Sequence, residues 1–343
     1  MILAGDVGGT KTLLGLFSEA PDRPSPIEVG EFATLEYDGL EPMILEFLSA
    51  WNVEARHVQF TSIGVAGAVV SQVARMTNVP WVVDGAALAV KTGIKPVRIL
   101  NDLEALAYAV PVLEPAELAT LQEGRRIEGG NVAVIAAGTG LGEAFLYHVD
   151  GRAVPGPSEG GHADFGARTA RELELVRVFT PLFGRVSVEA IVSGPGLVNI
   201  YQLTHDAVGS GPLIMPTSLA PARLCPAVEA VEDIGDLPAS ISQAAIEKRC
   251  PQCVETLEIF LEAYGAEAGN MALRGTATAG VYVGGGIAPK MLPAIRSSGF
   301  LAAFRAKEPM EEFVANIPVS VILNDDAALL GAAVHAQDML IRR

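Results

Sequence analysis

Cysteine is scarce in this chain: three in 343 residues, too few for a disulfide framework and in keeping with a reducing, cytoplasmic setting. Basic residues are also short. Lys and Arg number 24 against 40 Asp and Glu, a net charge of −16, which excludes general attraction to nucleic acid or an anionic membrane. A polyanionic ligand would be repelled by the chain as a whole. Any phosphate site must therefore be local, made from backbone N–H groups, a nearby lysine and a divalent metal. No apolar run approaches the ~20 residues of a membrane span. Met1 to Asp6 lacks a basic n-region and a cleavage site, and reads as a first strand.

Two phosphate-binding signatures are missing as well. The Walker A motif needs Gly before its Lys, and Thr10 precedes Lys11. The dinucleotide motif needs G-x-G-x-x-G between strand and helix. Gly138-Thr139-Gly140-Leu141-Gly142 has other spacing, and an apolar strand pattern follows it.

What is present is a recurring pattern. Ile2–Ala4 is apolar, Asp6-Val7-Gly8-Gly9-Thr10-Lys11 is a glycine turn, and Leu13–Phe17 is apolar again. About 130 residues later Asn131–Ala136, the turn at Ala137–Gly142 and Ala144–Val149 repeat it. Such a turn can aim several backbone N–H groups at one anion, and an acidic residue such as Asp6 can hold Mg2+ through water. A single turn of this kind also reads as a plain tight hairpin. Two of them, plus a third glycine cluster at Gly284-Gly285-Gly286 after a strand, favour phosphate binding in a chain of two related domains. Its length suits two domains with buried cores.

Other segments carry two readings each. Asn101-Asp102-Leu103-Glu104 has capping-box spacing at the start of a helix over Leu103–Val110. From the segment alone the cap is the favoured reading, although a capped start could also place a carboxylate for proton transfer. Glu159 and His162 lie in a Gly-rich loop that is either a solvated turn or a source of donors and acceptors for a polar ligand. Glu189 follows Ser187, a pattern expected of a first-turn carboxylate in a helix. Cys250-Pro251-Gln252-Cys253 suggests a helix start, because a four-ligand zinc site is expected to need a second pair and only Cys225 remains. Lys11 either assists phosphates or is an exposed hairpin lysine. Asp206 to Ala239 reads as a long irregular excursion, Ile246–Leu273 as a buried helix and Asp325–Leu340 as a closing helix.

At Gly5-Asp6-Val7-Gly8-Gly9-Thr10 the sequence resembles the bacterial glucokinase family, within the hexokinase–actin–Hsp70 ATPase superfamily. Leu100-Asn101-Asp102, Gly138–Gly142, Glu159-Gly160-Gly161-His162-Ala163-Asp164-Phe165, Ser187-Val188-Glu189, Ser193–Asn199 and Gly284–Ile287 agree with it in order, from residue 4 to about residue 334. The resemblance implies an α/β, two-domain ribonuclease H-like (actin-like ATPase) fold with an inter-domain cleft. The small domain would comprise residues 1–110 plus 325–343, and the large one 111–324. It implies ATP-dependent phosphorylation of glucose at the 6-hydroxyl, with Asp102 as catalytic base. Asn101, Asp102, Glu159, His162 and Glu189 match the family's sugar-binding positions. Gly5, Asp6, Val7, Gly8, Gly9, Thr10, Gly138, Thr139, Gly140 and Gly285 match its nucleotide site, with Mg2+ carried on ATP. A homodimer is implied, with no nucleic-acid or membrane partner.

The chain departs from related families in places. The broad family of sugar kinases and sugar-responsive repressors carries a zinc-binding cysteine cluster after Gly-His, where this chain has Ala163–Arg168, so no structural zinc is expected. Gly8-Gly9-Thr10-Lys11-Thr12 is closer to that broad family, and Ala66-Gly67-Ala68 lacks an expected proline. A kinase for fructose, mannose or N-acetylglucosamine is the near alternative. A repressor would need a DNA-binding segment before the first strand, which starts at Ile2. An ATPase without a sugar would leave Glu159–His162 unexplained.

Overall fold

The computed structural model describes residues 1–76, 79–208, 213–215, 218–229, 231 and 233–341. The chain divides into two compact units, one of Met1–Leu118, Ala144–Pro157 and Asn324–Arg343, the other of Ala119–Glu143 and Ser158–Leu323.

The first unit is built on strands β1 (Ile2–Val7), β2 (Lys11–Ser18), β3 (Ser25–Ala33) and β4 (Phe60–Val65). A small sheet follows, β5 (Val69–Val70), β6 (Val73–Arg75) and β7 (Val82–Asp84), and then β8 (Val97–Asn101). The main sheet has the order β3-β2-β1-β4-β8. β1 to β3 pair antiparallel, whereas β1, β4 and β8 run parallel. Alternation along β1 sends Leu3 and Val7 to one core and Ile2 and Ala4 to another. The first core is closed by α1 (Leu40–Ala50), through Met43, Ile44 and Phe47, and by Leu88 of α2 (Gly85–Thr92). The second is closed by α3 (Asp102–Ala109) and α11 (Ala327–Ile341). Ala332, Ala333 and Ala336 form a small-residue face that lets α11 lie close to the sheet and α3. β3 alternates exposed and half-buried residues on the sheet edge.

The second unit orders its parallel strands by long connections. β10 (Val132–Ala137) pairs in parallel with β15 (Gly280–Gly284), β15 pairs in parallel with β16 (Val319–Ile322), and β9 (Leu118–Gln122) lies next to β16. After β10 come β11 (Leu141–Val149) and β12 (Arg152–Ser158), whose residues are shared between the units. Its helices are α4 (Ala170–Phe183), α5 (Gly194–Thr204), α6 (Leu237–Ile246), α7 (Pro251–Arg274), α8 (Leu292–Ser297), α9 (Phe300–Arg305) and α10 (Glu311–Ala315). The long α7 is buried along most of its length and packs on α5, α6 and α9. The 206–239 excursion carries the short strands β13 (Leu213–Met215) and β14 (Ser218–Leu219) and ends at α6; the rest of that expectation falls partly outside the described residues. Among the described residues, no helix is long and apolar enough to cross a membrane.

Candidate active site

In the first unit the parallel strands end in register. Val7 pairs with Val65, and Val65 with Asn101. The Gly8–Thr10 turn and the start of α3 therefore leave the same sheet edge, two strand spacings or about 10 Å apart. This is the carboxyl edge of the parallel strands, where open α/β sheets bind their ligands. The turn is tight: Gly8 N–H donates to Lys11 O at 3.0 Å. Thr34, fully buried and not singled out by sequence, holds it from the 3-10 turn just after β3, its hydroxyl donating to Gly8 O at 3.0 Å. Lys11 turns outward and pairs with Glu31 at 3.1 Å, so it is a surface hairpin lysine here.

Gly5 and Val7 lie within the strand, paired on both sides. A Cβ on Gly5 would meet Ile63 Cδ1 at 2.7 Å, so that glycine serves close packing. Asp6 takes the face shared with Ile2 and Ala4, toward α3 and α11. Burial pushes its carboxyl up to about 6; the Lys11 charge opposes the rise and the Asp326 carboxylate adds to it. Two carboxylates that repel at the end of a strand suit a divalent cation, which would relieve both the desolvation and the repulsion. The Asp325-Asp326 pair ahead of the closing helix was the sequence signal for the second one.

Asn101 is both cap and tether. Its Oδ1 accepts Leu103 N–H at 2.9 Å and Glu104 N–H at 3.3 Å, and Glu104 returns the bond to Asn101 N–H, a complete capping box. Its Nδ2 donates to Gly67 O at 3.2 Å. Gly67 has φ +150, and a Cβ there would stand 2.6 Å from Arg75 O. Asp102 is the first residue of α3, with Oδ1 accepting the Leu103 N–H at 3.0 Å. The capped start thus fixes the backbone that carries the Asp102 carboxylate.

The second unit gathers Glu159, His162 and Glu189 beside the other glycine turn. Gly138 N–H donates to Gly140 O at 2.8 Å, and Gly194 N–H at the start of α5 donates to Gly138 O at 2.8 Å. Glu189 Oε2 accepts Leu141 N–H at 2.9 Å, while Oε1 lies 3.7 Å from His162 Nδ1. His162 Nε2 lies 3.9 Å from Glu159 Oε2. Glu189 does not sit in a helical first turn as its sequence pattern suggests. It occupies a turn, its own N–H donates to Gly161 O at 2.8 Å, and the helix begins five residues later behind the Ser193 cap. The tertiary bond to Leu141 holds it there.

Glycine is required in this loop by close approach. A Cβ on Gly140 would stand 2.6 Å from Glu189 Oε2, one on Gly161 would collide with Leu141 O, and one on Gly160 with the Glu143 carboxylate. Glu143, missed by sequence, is buried in β11 with no hydrogen-bond partner for Oε1 among the described residues. Desolvation, with the Glu267 charge second, pushes its carboxyl up to about 7. An acidic residue inside an otherwise apolar strand was its only signal. Gly285 has φ +80 and would place a Cβ 2.5 Å from Ala137 O, so the third glycine cluster lies against the base of the Gly138 turn.

The description "Glucokinase" fits residues 3–339 of the chain as a family model. A glucokinase of Nostoc sp. is 37% identical over 342 residues, covering 98% of each chain. The chain belongs to the glucokinase family. A glucokinase from an Antarctic psychrotroph, solved by crystallography, has a TM-score of 0.81 at 26% identity and 98% coverage of both chains. A ROK family glucokinase from Streptomyces griseus, in complex with glucose and AMPPNP, has a TM-score of 0.61 at 20% identity, covering 98% of this chain and 99% of that one. The fold is accordingly the α/β ribonuclease H-like fold of the actin-like ATPases, and the chain is an enzyme of the glucokinase family.

Proposed function

We propose that this glucokinase-family enzyme transfers the γ-phosphoryl group of ATP to the 6-hydroxyl of D-glucose. The observation that carries the reading is the convergence of Glu159, His162 and Glu189 next to the Gly138–Gly140 turn. Two carboxylates and an imidazole offer sugar hydroxyls a fan of acceptors and donors, and the backbone turn beside them suits phosphate.

Phosphoryl transfer depends on positioning and charge stabilisation more than on covalent help. Asp102 accepts the proton of the 6-hydroxyl as oxygen attacks phosphorus, and Asn101 binds the sugar beside it. The family resemblance supports assigning nucleotide phosphates to the N–H groups of the Gly8–Thr10 turn in one unit and of the Gly138–Gly140 turn, with Gly285, in the other. Asp6, with Asp326 near it, is the group that would hold Mg2+, a cation whose chemistry is to neutralise charge on the phosphates. Homodimer assembly and a cytoplasmic location are carried by the family resemblance.

Steady-state assays with Mg-ATP and a panel of glucose, fructose, mannose and N-acetylglucosamine test the assignment. Glucose is expected to have the highest kcat/KM. A higher value for another sugar would sink the glucose reading, and ATP hydrolysis unaffected by any sugar would sink the kinase reading.

A further inference from the structure

The described residues contain one group of side chains with metal-ligand character away from the residues discussed above. His205 ends α5, Cys225 lies in the excursion, and Cys250 and Cys253 open α7. Their ligand atoms all lie within 4.8 Å of one another. Counting cysteines alone left this group invisible in the sequence, because the fourth member is a histidine 20 residues before Cys225.

The spacings match one ion at the centre. A tetrahedral zinc with Zn–S of about 2.3 Å and Zn–N of about 2.0–2.1 Å sets S···S near ~3.8 Å and S···N near ~3.5 Å. Cys225 Sγ and Cys253 Sγ are 3.9 Å apart. Cys250 Sγ and Cys253 Sγ stand 3.5 Å and 3.7 Å from His205 Nε2. All three cysteines are free, Cys250 and Cys253 buried and Cys225 half-buried.

The surroundings orient the ligands as a metal site requires. His205 Nδ1 is 3.0 Å from Tyr201 O, so that ring nitrogen carries the proton and Nε2 presents its lone pair to the sulfurs. Tyr201 stacks on the imidazole at 3.9 Å between centroids, and its hydroxyl accepts the Cys225 N–H at 2.7 Å. Cys250 and Cys253 stand at the positive end of a 24-residue helix.

We propose that His205, Cys225, Cys250 and Cys253 bind one zinc ion as a closed structural site. Four protein ligands leave no open position, so the site is structural rather than catalytic. It differs in place from the cysteine cluster that the broad sugar-kinase family carries after its Gly-His motif. Its consequence is mechanical. The 206–236 stretch contains only two short strands and a single 3-10 turn among its described residues, and the ion would tie it to α5 and α7. α5 is held at its other end to the glycine turn through Gly194 and Gly138.

The test is metal analysis of the full chain purified without added metal or chelator, by mass spectrometry of the elements. One zinc per chain that survives dialysis is expected. Replacing it with Co2+ should give the visible absorption of tetrahedral cobalt with thiolate-to-cobalt charge transfer. Cys225→Ser should lose the zinc and lower Tm by several degrees. Should that variant fail to fold, the cobalt spectrum of the wild-type chain still decides. A chain without zinc that gives no such cobalt spectrum overturns the proposal, as does a Cys225–Cys253 disulfide found by peptide mapping.

Discussion

The carboxylate of Glu189 accepts the backbone N–H of Leu141 at 2.9 Å, joining a sugar-site candidate to the first residue after the Gly138–Gly140 turn. One side chain thus touches two functions. Glu189→Gln keeps an acceptor for Leu141 but loses the charge facing His162. Charge-assisted hydrogen bonds contribute about 1.5–3 kcal/mol, so the KM for glucose is expected to rise ~10–100-fold while the KM for ATP holds. Glu189→Ala removes both contacts and is expected to raise both constants. Initial rates with each substrate varied would check this, and an unchanged ATP constant in the alanine variant would dissociate the turn from Glu189.

Asp102 and Asn101 separate base from cap. Asp102→Asn leaves the capping box intact, so Tm is expected to move by no more than a few degrees. Loss of general-base catalysis is expected to lower kcat by ~10²–10⁴ with glucose binding nearly unchanged. Asn101→Ala removes two cap bonds and the Gly67 tether, and is expected to cost about 1–2 kcal/mol of stability. Thermal denaturation of both variants beside single-turnover rates distinguishes them. Turnover near wild type in Asp102→Asn would refute the base.

The contrast between these segments explains what the sequence could disclose. Asn101 and Glu104 form their capping box within one turn, so residue spacing alone predicts it. The strand–turn–strand units are likewise local, and both glycine turns lie where the pattern places them. Glu189 has the spacing of a helical first turn yet sits outside the helix, because its position is set by Leu141, 48 residues away. Glu143 falls between the glycine turn and the following apolar run in the sequence, and the Gly160 backbone over its carboxylate is a tertiary contact. The cysteine–histidine group spans His205 to Cys253, across an excursion without strong periodicity, and only folding brings it together.

Asp6 should show a conflict between stability and metal binding. Its folded pKa is raised from 3.8 to about 6, so in the metal-free protein its contribution to stability is full below pH ~4 and is lost as pH rises through 6. Asp6→Asn is therefore expected to raise the Tm of the metal-free protein at pH 8 relative to wild type and to bring the two together near pH 4.5. The same variant should bind Mg-ATP far more weakly. In the wild type, protons compete with Mg2+, so the KM for Mg-ATP should climb as pH falls below 6. Calorimetry with and without Mg2+ across pH 5–8 reads both effects, and a Tm gap that does not change with pH would exclude the raised carboxyl.

Glu143 offers the cleaner pH test, because its carboxylate lies against the Gly160 backbone and is not itself among the groups assigned to glucose. Its pKa rises from 4.5 unfolded to about 7 folded, with burial the leading cause and Glu267, itself held by Arg274 at 2.6 Å, the second. The folded state binds the proton more tightly, so stability falls as pH rises from 4.5 to 7 and levels off above 7. At 1.36 kcal/mol per pH unit the full swing is on the order of 3 kcal/mol. Glu143→Gln is nearly isosteric and cannot ionise. Its Tm is expected to match wild type near pH 4.5 and to exceed it by a growing margin up to pH 8, with the glucose KM within a few-fold. Urea melts at pH 5, 6, 7 and 8 would show the margin opening. Parallel curves across that range would place the ionised carboxylate comfortably in the fold and remove Glu143 as the source of the alkaline loss.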